Sequence, residues 1–238
     1  MSNPVVGRTI EDKNGNLWIG TEGGGLNYYN RRTREFKWYR PQEGRNSISH
    51  NNVKALYYDA DKEIIWIGTH LGGLNKLDIR SGHFTHYRME GNNPQSLPSD
   101  IIRDITPYKD LLIIATQNGV CLFNPANGQC RQLFKDSKEG KSIKMVADVV
   151  FDSEGTLWIA ATGEGVFSYR FDTRKLTNYR HDAANPNSLS NNNVNNITQD
   201  SKGNLWFSTS GSGLDLYRPE TNDFENFDKG KNGLASDC

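Results

Sequence analysis

One apolar segment recurs five times along this 238-residue chain, and its spacing constrains the fold more than any other feature. It reads Leu17-Trp18-Ile19-Gly20-Thr21, then Ile65-Trp66-Ile67-Gly68-Thr69, then Leu112-Ile113-Ile114-Ala115-Thr116. It returns as Leu157-Trp158-Ile159-Ala160-Ala161 and as Leu205-Trp206-Phe207-Ser208-Thr209. The central residues are 48, 47, 45 and 48 positions apart. A second anchor follows each segment: Gly25-Leu26, Gly73-Leu74, Gly119-Val120, Gly165-Val166 and Gly213-Leu214. A third follows at Phe36, Phe84, Cys130, Leu176 and Phe224. Three anchors in one order at a fixed period are the mark of a repeat architecture.

Each repeat reads as four strands. In the second these are Val53–Tyr58, Ile64–Thr69, Gly73–Leu77 and His83–Tyr87, all rich in β-branched and aromatic residues. Turn dipeptides separate them: Asn14-Gly15, Glu154-Gly155 and Lys202-Gly203 between strands one and two, Ser81-Gly82 and Asn127-Gly128 between three and four. No sustained helical period is present. A four-stranded unit of this length is the size of a β-propeller blade. The expected fold is all-β: a β-propeller of five four-stranded blades, at 5–40, 53–88, 101–134, 146–180 and 194–228, in one propeller region over 1–238. The tryptophans are expected to fill the space between blades, not to form a sugar-stacking platform. The glycines of the second anchor are expected to turn the chain where a Cβ would clash.

Composition removes several functions. The 28 basic and 28 acidic side chains balance, so no field favours nucleic acid or an anionic membrane. The longest aliphatic run, Leu111–Ala115, is far short of the roughly 18–20 residues that span a bilayer. Met1-Ser2-Asn3-Pro4 lacks the regions of a signal peptide. The three cysteines, Cys121, Cys130 and Cys238, form no metal-ligand pattern, and no cofactor or metal is expected. Cys121 and Cys130 flank a turn; the reading preferred for them is two small buried thiols, with a disulfide the alternative in an oxidising compartment. Asn196-Ile197-Thr198 matches a glycosylation sequon and carries little weight.

The repeat resembles the two-component regulator propeller repeat, a D-x-x-G-x-L-W-I-G-T core followed by G-G-L. The match is close at Asp12, Gly15, Leu17 to Thr21 and Gly24 to Leu26, and again at Asp200, Gly203, Leu205, Trp206, Gly213 and Leu214. The third repeat departs, with Ile113 for Trp and no Asp-Gly turn. Linkers such as Ser47-Ile48-Ser49-His50-Asn51-Asn52-Val53 also fit. The resemblance implies a non-catalytic, periplasmic sensor region of a hybrid two-component histidine kinase held in the inner membrane. Many such proteins of gut Bacteroidetes sense oligosaccharides. It also implies that the chain is part of a larger, seven-bladed propeller, truncated at both ends, with Asn232–Cys238 resembling a linker into another blade. A closed five-blade ring is the alternative. Exposed blade edges, or a sensor dimer, are expected to give self-association.

Two loop classes lie at one end of such blades: those between strands two and three, and those between blades. They offer Glu22, Arg45, His50, Asn51, His70, Asp100, Gln117, Glu164 and Asn192 as ligand-binding candidates, with side chains able to bond sugar hydroxyls or a carboxylated sugar. The competing role for the Asn-rich linkers is to bond their own backbone as turns. Carboxylates are scattered without a repeating pair, so no catalytic residue is assigned. Asp152–Trp158 resembles the Asp-box turn of sialidases, itself a structural turn. A protein-interaction scaffold and, less favoured, a propeller glycoside hydrolase are the alternatives to a sensor.

Overall fold

In the computed structural model, which describes residues 1–230 and 234, the chain is all-β and carries five four-stranded antiparallel sheets. Blade one is β1 (Val6–Glu11), β2 (Leu17–Thr21), β3 (Gly25–Asn30) and β4 (Glu35–Tyr39). Blade two is β5 (Val53–Asp59), β6 (Ile64–Thr69), β7 (Leu74–Asp78) and β8 (Phe84–Tyr87). Blade three is β9 (Ile102–Tyr108), β10 (Leu111–Thr116), β11 (Gly119–Asn124) and β12 (Gln129–Gln132). Blade four is β13 (Val146–Phe151), β14 (Leu157–Ala161), β15 (Gly165–Tyr169) and β16 (Leu176–Tyr179). Blade five is β17 (Val194–Gln199), β18 (Leu205–Thr209), β19 (Gly213–Arg218) and β20 (Asp223–Phe227). Within each sheet the strands pair in sequence order. Among the described residues the sole helical element is a 3-10 turn at Gly140–Ser142. The segment Asn232–Cys238, and with it Cys238, lies outside the described residues except for Leu234.

The chain divides into two compact units, the first Met1–Gln132 and the second starting at Leu133. In the first, blades one to three stack with β1, β5 and β9 as neighbours. Trp18 of blade one packs with Ile65, Ile67, Leu77 and Phe84 of blade two. Trp66 of blade two meets Phe123 of blade three edge-on at 5.5 Å. In the second unit Trp158 meets Phe207 and Tyr217 of blade five at 5.5 and 4.8 Å. These three tryptophans are almost fully buried and cement one blade to the next. Trp206, in blade five, is half-buried against Phe227. The outer face of blade one is open: Phe36 and Trp38 are exposed, whereas the repeat equivalents Phe84 and Phe224 are buried.

The consensus aspartate has a definite job. Asp152 Oδ1 accepts the Glu154 and Thr156 N–H groups at 3.0 and 2.8 Å, and its Oδ2 accepts the Trp158 indole N–H at 2.8 Å. Asp12 and Asp200 repeat the arrangement with Trp18 and Trp206. One carboxylate thus closes the turn and satisfies the indole donor. The second-anchor glycines behave as expected. A Cβ on Gly73, at φ +70°, would lie 2.3 Å from the Tyr87 carbonyl oxygen, and Gly25, Gly165 and Gly213 are alike. The Gly20 and Gly68 positions have another cause: a Cβ there would run into Val53 or Ile102 of the following blade.

Cys121 and Cys130 are joined by a disulfide, with Cα atoms 5.9 Å apart. The preferred reading of two separate thiols is therefore corrected. Cys121 pairs with Gln132 and Cys130 with Phe123 in the β11–β12 ladder, so the two cysteines are diagonal neighbours on one face of the hairpin.

Candidate functional site

The loop end of the first unit is organised by one backbone bond repeated in each blade. Glu22 N–H donates to the Val5 carbonyl, His70 N–H to Asn52 and Gln117 N–H to Ile101, at 2.9–3.1 Å. These three residues therefore occupy one repeat position, beside the start of each blade's first strand. In the second unit the same bond comes from Thr162 and Ser210, not from Glu164.

Next to this bond, strand one is bulged in all five blades. In blade two Val53 faces Thr69 and Ala55 faces Gly68, leaving Lys54 as the extra residue. In blade three Ile102 faces Thr116 and Asp104 faces Ala115, leaving Arg103. A bulge takes its extra residue out of the ladder and re-aims its side chain. In blade two the re-aimed Lys54 ammonium pairs with the Glu22 carboxylate of blade one. His70 lies in the field of Arg103, Lys54, His50 and Glu22. Burial first, and then the neighbouring Arg103, Lys54 and His50 side chains, hold its imidazole below the usual histidine range. Lys54 also holds Glu22 below the usual carboxylate range, chiefly through their hydrogen bond. His70 Nδ1 is buried without a hydrogen-bond partner. Arg103 makes no ion pair among the described residues. Deeper on the inner strands, Arg8 of blade one reaches past blade two to Asp104 of blade three at 2.9 Å.

The structure thus gathers Glu22, His50 and His70 into a rim, with Gln117 at the equivalent position of blade three. His50 also serves its own turn, its Nδ1 accepting the Asn52 N–H at 3.1 Å. Asn51, Asp100 and Asn192 share a different repeat position. Their carbonyls accept the N–H of Gly25, Gly73 and Gly165. Asp100 and Asn192 also spend side-chain oxygens on the Met89 and His181 N–H groups that open their linkers. Arg45 bonds Gln42 within its linker at 3.4 Å, and Glu164 pairs with Arg180. Sequence reasoning missed Lys54 and Arg103. The signal was there: they fall at one repeat position, as cations inside otherwise apolar strands. Among the described residues no group of three or more His, Cys, Asp or Glu could hold a metal ion.

A second concavity lies at the opposite, turn end of the second unit. It is a groove of about 590 Å³ between blades four and five, lined on one side by the 152–156 turn and on the other by Lys202–Leu205.

Three segments, 1–23, 47–70 and 188–211, match the family model of the two component regulator propeller. These three segments are similar to two component regulator propeller repeats. The segments hold the Trp18 and Trp66 cores and the Asn191–Asn193 linker, so the family match rests on scaffold residues and linkers. No curated protein matches. Among solved structures, the extracellular domain of the hybrid two component system BT3049 from B. thetaiotaomicron is 25% identical, with a TM-score of 0.82 over 94% of this chain. The extracellular domain of BT4673 from the same organism is 24% identical, with a TM-score of 0.74 over 95% of this chain. The chain spans 30% of the length of each. PorZ, a surface component of the type-IX secretion system of Porphyromonas gingivalis, shares the fold at 15% identity, with a TM-score of 0.68 over 98% of this chain and 35% of PorZ. Among the described residues of the repeats, no helix is long and apolar enough to cross a membrane.

Proposed function

We propose that this chain is an extracytoplasmic, non-catalytic sensing module of a longer two-component regulator that recognises an oligosaccharide at the loop-end rim of its first unit. The observation that carries the reading is the likeness of 94% of the chain to the extracellular domain of a hybrid two component system. The rim adds a physical basis: Lys54, Arg103 and His70 are donors, Glu22 is an acceptor, and rigid strands hold them. The Cys121–Cys130 disulfide suits a periplasmic location. The mechanism is population shift: ligand binds one arrangement of the sensor more tightly than another, and that difference drives the kinase. The partner surface is the outer face of blade one, where Phe36 and Trp38 are exposed.

Calorimetric titration of the chain, and of the full sensor region containing it, against an oligosaccharide panel tests the reading. Binding weakened by Lys54→Ala or Arg103→Ala supports it. Absence of binding by the full sensor region rejects it. The likeness to PorZ favours a second reading, a surface scaffold that contacts protein. Under that reading, glycans stay silent and a protein partner is retained by the wild-type surface and lost on Trp38→Glu.

A further inference from the structure

The joints of blades one–two, two–three and four–five are built alike. The strand-two tryptophan of one blade lies against the same strand-three position of the next: Trp18 packs with Leu77, Trp66 meets Phe123 and Trp158 meets Tyr217. The linker between the blades then runs along the edge of the second blade's fourth strand. The Phe84, Cys130 and Phe224 N–H groups donate to Asn46 Oδ1, the Gln95 carbonyl and the Asn187 carbonyl at 2.7–2.8 Å. Two residues on, His86 Nε2 and Asn226 Nδ2 bond the Ser47 and Ser188 carbonyls at 2.8 and 3.0 Å. One joint therefore buries apolar faces and satisfies the donors of an edge strand together.

Blade one and blade five each carry one half of such a joint. On blade one, Tyr29, Phe36 and Trp38 stand where blade two has Leu77, Phe84 and His86: Tyr29 faces Phe36 as Leu77 faces Phe84, and Asn27 faces Trp38 as Asn75 faces His86. Phe36 is 37% and Trp38 54% exposed. The Phe36 N–H and the Trp38 indole N–H have no hydrogen-bond partner among the described residues. Trp38 nevertheless keeps a donor side chain at the position of His86 and Asn226. On blade five the complementary face is open. Trp206 and Leu214 are half-buried. Their equivalents Trp18, Trp66 and Trp158, and Leu26, Leu74 and Val166, are all exposed by 3% or less. The opposite face of blade five is closed, with Phe207 and Phe224 buried against Trp158 of blade four.

We infer that blade five of a second copy docks on the outer face of blade one, with Trp206 against Tyr29 and Phe36 as Trp158 lies against Tyr217 and Phe224. The two half-joints have the shapes that already fit each other three times within the chain, which is why the occupant is this blade and not a second blade one. The contact pairs two different surfaces, so it is heterologous and propagates into chains or a closed ring of copies, not a two-fold dimer. The inference rests on the partner surface proposed above and names its occupant; it is independent of the oligosaccharide reading.

The test is sedimentation velocity of the full chain at rising concentration, with one variant for each half-joint. Trp38→Glu blocks blade one at an exposed residue. Leu216→Lys blocks blade five beside Trp206, at the position that Lys76 occupies in blade two, so the blade tolerates a lysine there. A melt of each variant confirms that it folds. Wild type is expected to form species that grow with concentration, and each variant alone to associate about tenfold more weakly or worse. Mixed, the two variants should form a one-to-one dimer, because Trp38→Glu keeps an intact blade five and Leu216→Lys an intact blade one. A wild type that stays monomeric up to its solubility limit, or a mixture that forms no dimer, overturns the inference. Assembly lost on Trp38→Glu and indifferent to Leu216→Lys removes blade five as the occupant and leaves the partner surface standing. Assembly indifferent to Trp38→Glu removes both. Oligosaccharide titration reads the ligand site separately in every case.

Discussion

Two glycines in blade two have the same backbone angle and different surroundings, so one substitution can be measured with and without a clash. Gly73 and Gly82 both have φ of +70°. Around Gly82 a Cβ would meet nothing within 4 Å. Around Gly73 it would sit 2.3 Å from the Tyr87 carbonyl oxygen and 3.1 Å from Asp100 Oδ1. Gly82→Ala therefore carries the left-handed backbone cost alone, about 1–2 kcal/mol. Gly73→Ala carries that cost and an overpacking cost of about 1–3 kcal/mol more, because the clashing atom is backbone at the end of a paired strand. The gain from restricting the unfolded chain is the same at both sites and cancels.

For a chain of this size each kcal/mol lowers the melting temperature by about 2–4 °C. Scanning calorimetry should show Gly73→Ala melting lower than Gly82→Ala by about 2–12 °C, the extra ~1–3 kcal/mol at about 2–4 °C each. Both residues lie in the first unit, so both shifts appear in the same transition. Equal shifts, or a larger shift for Gly82→Ala, would refute the claim that the second-anchor glycine is required by contact with strand four.

The other predictions concern charge, covalent closure and association. Hydrogen bonds from Asn204 and Trp206 hold the Asp200 carboxyl down to about 2. A carboxylate depressed in the folded state stabilises it above the unfolded value near 4 and loses that contribution as pH falls from 4 toward 2. An NMR titration of the Asp200 carboxyl should place its midpoint well below that of an exposed aspartate, and Asp200→Asn should flatten the acid limb of stability. The lowered His70 acts in the same direction, in a higher pH window. The unfolded chain takes up its proton first, so stability falls as pH drops below about 6.5, and His70→Asn should reduce that slope in denaturant melts. Replacing Cys121 and Cys130 by Ala, which are 9 residues apart, should cost about 2.5–3 kcal/mol by loop-closure entropy; equal melts with and without the bond would count against a native disulfide. Trp38→Glu should reduce self-association in sedimentation velocity, and unchanged sedimentation would remove blade one's outer face as the contact.

The fold was legible because its strongest residues are tied to geometry that every blade shares. A tryptophan that must fill an inter-blade gap, and a glycine that must pass under a carbonyl, tolerate few replacements, so they recur at a readable spacing. Even blade three, with Ile113 for Trp, keeps the Thr116 and Gly119 anchors. The disulfide was less legible, since two cysteines beside a turn suit either state until the ladder register places them diagonally. The candidate site was legible in part. Glu22, His70 and Gln117 follow directly after the strand-two anchor, and counting on by one finds them. The same count gives Thr162 in blade four, whereas Glu164 stands out only by its charge. Lys54 and Arg103 escaped because a bulge has no composition of its own: which residue leaves the ladder depends on pairing register.

That bulge separates scaffold from variation. It stands in the same place in all five blades, opposite the small residues Gly20, Gly68, Ala115, Ala160 and Ser208. In blades two to five the residues it turns out are Lys54, Arg103, Ala147 and Asn195. A backbone device repeated in all five blades belongs to the fold, whereas the side chains it carries share no chemistry, so the fold does not dictate them. The repeat supplies the position; the residue there is left open to other demands. Lys54 and Arg103, the charged residues of that set, act on His70, and Lys54 pairs with Glu22. A ligand recognised at this rim would be read by residues that the propeller itself does not require, so Lys54 and Arg103 can be changed with little effect on melting temperature and a large effect on binding.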